Sequence, residues 1–333
     1  MNIIGIESSC DETAVSIIND EKVFTSIISS QELHKEYGGV VPEFASREHM
    51  KNIDNLVIKA FEEANMTIDD MDGIAVTRGP GLMGALLVGL SYAKGLSFTS
   101  KKPLIGVNHI EGHIMANFLD HPELEFPFLC CLVSGGHTQI VYVKDFQEYE
   151  ILGKSIDDAA GEAFDKAARI LDLGYPGGPI IDRMAKEGDP KFHRFPRAQI
   201  KNRPNDLSFS GLKTSVLYLT RQSEKKWIEE NINNICASYQ EAIIDALQKK
   251  TFKILEEVDV NTIVLAGGVA ANSRLREVFQ QKARSRKVNI YFPSLAYCTD
   301  NAAMIAKAGM EMMKRNMTSK LDIKAIPNLR LID

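Results

Sequence analysis

The stretch IIGIESSCDETAVSII, residues 3–18, decides the fold, because its plan returns in FLCCLVSGGHTQIVYV, residues 128–143. In both, an apolar run enters a short polar turn and leaves it as a second apolar run, which is the pattern of two strands joined as a hairpin. Setting Thr13 on Thr138, an offset of 125 residues, also sets Ser9 on Ser134 and Val15 on Ile140 without a gap. The chain therefore reads as two lobes descended from one unit.

A second parallel lies further along each half. Ile74–Val76 leads into TRGPGLMG and a helix-periodic stretch, and Ile263–Leu265 leads into AGGVAANSRLRE and another helix. A strand, a glycine turn and a helix bring backbone N–H groups and a helix N-terminus toward an anion, so both turns suit phosphate or ribose. Helical spacing over Ser46–Ala64 and Ile235–Glu257 supplies further helices, and Asn301–Arg315 reads as a terminal helix with Asp300 as its N-cap. The exception is 185–213, rich in Pro, Phe and basic residues, which reads as a loop. No Gly/Ser linker separates the halves, so the expected division is 1–125 and 126–333, sharing a central cleft, with the terminal helix packing back on the first lobe.

Composition narrows the class. At 333 residues the chain exceeds the roughly 250–300 at which one core stops growing, in keeping with two lobes. Its longest apolar runs, Leu86–Leu90 and Phe128–Val133, fall far short of the ~20 residues that cross a bilayer, and the first residues lack the pattern of a secretory signal. No membrane association and a place in the cytoplasm are expected. Cys10, Cys130, Cys131, Cys236 and Cys298 show no CxxC spacing, which fits a reducing compartment. The net charge of −5 argues against a surface coated for nucleic acid, so any such site is local. The densest candidate is 191–216, with six basic residues against the single acid Asp206 and with Phe192, Phe195 and Phe209 interleaved; core packing explains those aromatics as well as base stacking does.

The sharpest chemical signal is His109 and His113 in NHIEGHIMANFL. Four residues apart on a helix, both rings project from one face and can chelate a cation. A zinc protease would place its glutamate second in HExxH, but Glu111 is third, about 200° around the helix from His109, and has no path to the metal as general base. Two imidazoles leave a divalent ion short of ligands, and Asp300 is suited to complete His₂Asp ligation of iron(II) or zinc. In LVSGGHTQ, Ser134 and the backbone of Gly135 and Gly136 form a candidate phosphate cradle, with a plain hairpin as the alternative. Asp165 in AAGEAFDKAARIL and Asp182 after YPGGP are candidate acceptors for ribose, and Gly178 permits close backbone approach.

Together the ESSCDET turn, HIEGH, LVSGGHTQ, AAGEAFDKAARIL, YPGGP, LAGGVAANSRLR and CTDNAAMIA closely resemble the TsaD family, which is shared with the catalytic subunit of the archaeal and eukaryotic KEOPS complex. The resemblance runs from the first strand to the terminal helix. It implies an α/β, duplicated actin-like (ASKHA, ribonuclease H-like) two-lobed fold and transfer of threonylcarbamoyl from threonylcarbamoyl-AMP to adenosine 37 of tRNAs reading ANN codons. It further implies that His109, His113 and Asp300 hold the metal, usually iron, and that Leu132, Val133, Ser134, Gly135, Gly136, Asp165, Gly178, Asp182 and Asn272 hold the adenylate. Expected partners are tRNA, TsaB and TsaE, with ATP or a related nucleotide as a further ligand. Glu12, at the tip of the first hairpin, is the candidate to take the amine proton, a solvated turn carboxylate being the alternative. An older name for the family, O-sialoglycoprotein endopeptidase, conflicts with the placement of Glu111. The competing readings are a small-molecule kinase or Hsp70-like ATPase, a metallopeptidase, and a non-catalytic scaffold.

Overall fold

The computed structural model describes residues 1–31 and 34–332. The chain divides into two compact units, Met1–Leu124 with Pro293–Asp333, and Glu125–Phe292. Where the sequence reading runs the second half to residue 333, the division gives Pro293 onward to the first unit.

The first unit is built on a five-stranded sheet of order β3-β2-β1-β4-β5, formed by β1 (Ile3–Glu7), β2 (Glu12–Ile18), β3 (Val23–Ser30), β4 (Gly73–Gly79) and β5 (Leu104–Asn108). The second has the order β10-β9-β6-β7-β8, formed by β6 (Phe128–Val133), β7 (Thr138–Asp145), β8 (Glu148–Lys154), β9 (Thr262–Ala266) and β10 (Asn289–Tyr291). The plans coincide strand for strand: an antiparallel three-strand meander, then two strands added in parallel on the other side of the first.

The register is shared too. The pair Ile6↔Val15 in the first unit becomes Cys131↔Ile140 in the second, and Ile4↔Ile74 becomes Leu129↔Ile263. The offset of 125 read from the polar turns is thus the offset of the hydrogen-bonded ladder. A one-residue slip would turn every buried side chain of a strand to the other face.

On one face of the first sheet, α1 (Pro42–Ala64) and α2 (Met83–Ser100) cover a core that includes Ile4, Ile6, Val15, Ile53, Val57 and Leu90. The helix of the final segment, α9 (Ala302–Lys314), packs on β1, β2 and β4. Its close approach has a visible cause. A Cβ on Gly5 would lie 2.3 Å from the Ala302 carbonyl oxygen, and one on Gly309 would lie 2.4 Å from the Ala75 Cβ. Glycine at both contacts, with alanines along AAMIAKAG, lets helix backbone lie almost directly on strand backbone. This packing carries Asp300, just before α9, to the C-terminal end of β1.

The short helix α3 (His109–Met115) follows β5 directly, with Asn108 capping it by accepting from the Ile110 amide. In the second unit α4 (Ala160–Ile170), α5 (Gly177–Ala185), α6 (Ser210–Gln222), α7 (Ile232–Leu255) and α8 (Ser273–Arg286) complete the framework. Of the stretch 185–213 read as a loop, residues 186–209 are largely irregular, whereas Ala185 ends α5 and residues 210–213 form the first turn of α6. Among the described residues no helix is long and apolar enough to cross a membrane.

Candidate active site

His109, His113 and Asp300 converge in the first unit, each offering a ligand atom within 4.8 Å of the others. Asp300 Oδ1 lies 3.5 Å from His109 Nε2 and 3.2 Å from His113 Nε2. The two rings stand edge to face at 82°, centroids 4.7 Å apart. Two details of local sequence make this convergence. Asn301, not Asp300, caps α9, its side chain accepting from the Met304 amide, so the Asp300 carboxylate is released from the capping role the sequence reading gave it. Gly112, between the histidines, lets α3 lie against α9, since a Cβ there would come within 2.8 Å of Ile305 Cδ1.

The electrostatics of the cluster call for positive charge. Burial by itself would raise the Asp300 carboxyl, but His109 and His113 outweigh it and hold the group far below the usual carboxylate range. Glu7, fully buried at the end of β1, follows the same logic: burial opposes its charge, and His109 and the Thr77 hydroxyl overcome it. For His109, burial disfavours the imidazolium, yet Asp300 and Glu7 drive its pKa well up. A fully buried carboxylate, Glu7, and a partly exposed one, Asp300, thus demand a cation between them, whether a proton or a metal ion. His113 adds a second sign. It is 1% exposed, and neither of its ring nitrogens makes a hydrogen bond. An unsatisfied buried nitrogen costs about 1–3 kcal/mol, and a divalent ion shared with Asp300 would remove that penalty. The donor set therefore fits iron(II) or zinc.

The turn after β1 borders the cluster. His49 on α1, fully buried, lies with Nδ1 2.7 Å from Thr13 Oγ1 and with Nε2 3.0 Å from the Cys10 carbonyl oxygen, pinning the turn from both sides. Glu12 is not a solvated tip. Burial first, then the charges of Asp300 and Asp11, push its carboxyl up to about 10, so it holds its proton at neutral pH. Cys10 is pushed up by burial and Asp11, which makes it an inert thiol.

In the second unit the residues expected to hold the adenylate lie at three adjoining turns. The Ser134 amide donates to the His137 carbonyl at 2.8 Å, closing the hairpin turn, and Cβ atoms on Gly135 and Gly136 would meet nothing within 4 Å. Leu132 and Val133 are the buried end of β6, and the carbonyl of Val133 is approached so closely by Gly267 that a Cβ there would lie 2.5 Å from it. Asp165 accepts from the Gly177 amide at 2.7 Å, leaving Gly178 with open space at its Cβ position. Asp182 accepts from the Ser273 hydroxyl and amide, and Asn272 caps α8 while donating to Gln240 Oε1 at 2.6 Å. A cavity of about 340 Å³ opens beside Ser273, lined also by Lys186, Gln240, Glu241, Arg274 and Glu277. That volume suits a small ligand.

The glycine turn TRGPGLMG behaves differently from its counterpart. A Cβ on Gly79 would lie 2.0 Å from the Ile326 carbonyl oxygen, and the Gly81 amide donates to the Pro327 carbonyl. The final segment of the chain occupies this turn, and the phosphate or ribose expected there has no room. Of the aromatics in 191–216, Phe195 and Phe209 are core residues at 1% exposure. Only Phe192 reaches the surface, stacked on Trp227 with centroids 5.7 Å apart. Sequence reasoning missed Glu7, His49, Gln240 and the Glu241–Arg274 pair; Glu7 alone carried a signal, as a charge directly after the apolar run IIGI.

Comparison with known proteins settles the family. The model of the family described as TsaD: tRNA N6-adenosine threonylcarbamoyltransferase matches residues 22–307. The protein of that name from Thermosipho africanus is 51% identical over 332 residues, spanning 99% of this chain and 100% of its own length. Its counterpart from Kosmotoga olearia is 53% identical over 333 residues, spanning 100% of this chain and 99% of its own length. The chain belongs to the TsaD family. As a member it is a transferase that modifies tRNA. Among solved structures, full-length HypF in its phosphate- and nucleotide-bound form aligns with a TM-score of 0.62 at 14% identity, over 94% of this chain and 46% of its own. Component A of the (R)-2-hydroxyglutaryl-CoA dehydratase of Acidaminococcus fermentans aligns with a TM-score of 0.56 at 15% identity, over 95% and 98%. These likenesses concern the fold alone, which is the duplicated α/β fold of the actin-like type.

Proposed function

We propose that this chain transfers the threonylcarbamoyl group of threonylcarbamoyl-AMP to the exocyclic amine of adenosine 37 in tRNAs that read ANN codons. The amine nitrogen bonds to the carbamoyl carbonyl carbon, the bond from that carbon to the phosphate oxygen breaks, the amine gives up one proton, and AMP leaves. The observation that carries this reading is the meeting of buried His109 and His113 with Asp300 in a chain of the TsaD family.

His109, His113 and Asp300 would hold one divalent ion, iron(II) by preference and zinc as the alternative. When bound, the ion supplies Lewis-acid polarisation and a template for the donor. The donor itself falls to the second unit. The open Gly135 and Gly136 let a phosphate approach the backbone after Leu132, Val133 and Ser134, and donors there add oxyanion-type stabilisation. Asp165, which holds the Gly177 amide, would line the nucleotide together with Gly178, Asp182 and Asn272. ATP or a related nucleotide would use the same turns. Glu12 is the candidate to take the amine proton; burial first, and then the Asp300 charge, raises its carboxyl, and a cation on Asp300 would remove the second of these causes.

The tRNA would meet the basic stretch 191–216, with Phe192 on Trp227 as its exposed aromatic face. Because the whole chain is acidic, TsaB and TsaE would supply further phosphate contacts, in the cytoplasm, with a separate enzyme making the adenylate. The test is reconstitution with threonine, bicarbonate, ATP, the adenylate-forming enzyme, TsaB, TsaE and tRNA, followed by nucleoside analysis. Threonylcarbamoyladenosine forms with the wild-type chain and disappears with a folded Asp300→Ala variant. Undiminished product from that variant contradicts the assigned metal role, and rapid sugar phosphorylation without tRNA would restore the kinase reading.

A further inference from the structure

We infer that Glu7 is a positioning residue for the cation site: it keeps the His109 proton on Nδ1 and thereby reserves Nε2 for the metal. This rests on reading His109, His113 and Asp300 as that site.

Glu7 stands where the duplicated plan has an apolar residue. The offset that aligns the two units sets Leu132 of β6 on Glu7 of β1, and the strand pairing agrees, Glu7↔Ala14 against Leu132↔Gln139. The rest of β1 is buried and apolar apart from Gly5. A fully buried carboxylate in such a strand is strongly disfavoured unless its charge is compensated, so its presence asks for a task absent from the second unit.

Its partners define the task. The Thr77 hydroxyl of β4 donates to Oε2 at 2.6 Å, and the Ser9 amide donates to Oε1. An amide N–H can only donate, and an ionised carboxylate can only accept, so these two bonds lock the group in place as an acceptor. The third contact is His109 Nδ1, 3.0 Å from Oε2. Facing a locked acceptor, Nδ1 must carry the hydrogen. Ser9 Oγ, 3.2 Å from the same nitrogen, is then a second acceptor for it. Nε2 is left with its lone pair directed to the side where Asp300 Oδ1 lies at 3.5 Å and where His113 Nε2 also meets Asp300. Glu7 is not itself a ligand, because turning an oxygen to the cation would break the bond from Thr77 or from Ser9. A carboxylate behind a coordinating imidazole fixes the ring and raises its basicity, and losing such a group typically lowers metal affinity 10–100-fold.

The experiment titrates metal-free full-length protein with Zn²⁺ against a competing chelator, for wild type, Glu7→Gln, Thr77→Val and His113→Ala, with folding checked by circular dichroism. The amide of Glu7→Gln replaces one of two acceptors by a donor, so it cannot satisfy Ser9, Thr77 and His109 together. Its Zn²⁺ affinity should fall roughly 10–100-fold, whereas Thr77→Val, which keeps the carboxylate on His109, should stay within about threefold of wild type. The ¹⁵N spectrum of Zn²⁺-loaded wild type, with labelled histidine, decides the point without any variant: His109 should show a protonated Nδ1 and a metal-bound Nε2. A folded Glu7→Gln with wild-type affinity, or a metal-bound Nδ1, overturns the inference. Zn²⁺ binding that is lost in His113→Ala but indifferent to Glu7 sinks this inference alone, while a wild-type chain that takes up no Zn²⁺ sinks the cation reading with it.

Discussion

Replacing Gly5 by alanine should damage both the stability of the first unit and its cation site. The new Cβ would sit 2.3 Å from the Ala302 carbonyl oxygen, 2.8 Å from the Ala306 amide nitrogen and 2.9 Å from the Ala306 Cβ. Two of these are backbone atoms in the first turns of α9, so no side chain can rotate away, and the helix must retreat by about 1 Å to restore normal contact distances. Overpacking of this kind costs about 1–3 kcal/mol, and a clash with backbone on two sides belongs at the upper end. For a unit of this size that lowers the melting temperature by roughly 6–12 °C. Asp300 stands two residues before Ala302 and moves with it, whereas metal–ligand distances tolerate only about 0.2 Å, so Zn²⁺ affinity should fall as well. The control is Gly95→Ala on α2, where a Cβ meets nothing within 4 Å and the helix gains about 0.5–1 kcal/mol. Thermal unfolding and Zn²⁺ titration of the two variants provide the comparison. A Gly5→Ala protein as stable and as tightly metal-binding as Gly95→Ala would refute the argument that α9 places Asp300 through glycine contacts.

Two further outcomes follow from the second unit. Gly178→Val puts a side chain into open space, so the melting temperature should stay within about 1 °C while AMP binding, followed by calorimetry, weakens at least about tenfold; unchanged binding would remove the 177–178 turn from the donor site. Asp157 accepts from the Ser208 hydroxyl, the Phe209 amide and both the amide and hydroxyl of Ser210, capping α6 from outside. Asp157→Ala should cost about 1–2 kcal/mol and speed amide exchange at the start of α6, and protection equal to wild type there would contradict this cap.

What the sequence made legible was periodic or locally spaced. The duplication is plain because a hairpin writes its two strands side by side, and the alignment of Thr13 with Thr138 transfers to the ladder register without adjustment. The histidine pair is plain because a helix turns four residues onto one face. What stayed hidden depends on approach between distant segments. The Gly5 and Gly112 contacts with α9, and the filling of TRGPGLMG by residues 326–327, leave no local pattern. Asp300 and Asn301 are both competent caps by type, and only the packing of α9 shows that Asn301 takes that place and frees its neighbour. Phe195 and Phe209 look like a stacking surface when read beside their basic neighbours, yet both are buried, because an aromatic's burial is decided by the core it meets and not by the charges around it.

The most direct measurement of the central claim is anomalous diffraction from crystals of the full-length chain loaded with zinc, collected at the zinc absorption edge. One peak per chain is expected, with His109 Nε2, His113 Nε2 and an Asp300 oxygen about 2.0–2.2 Å from it. A peak bound by other residues, or none while those three side chains remain ordered, would contradict the account.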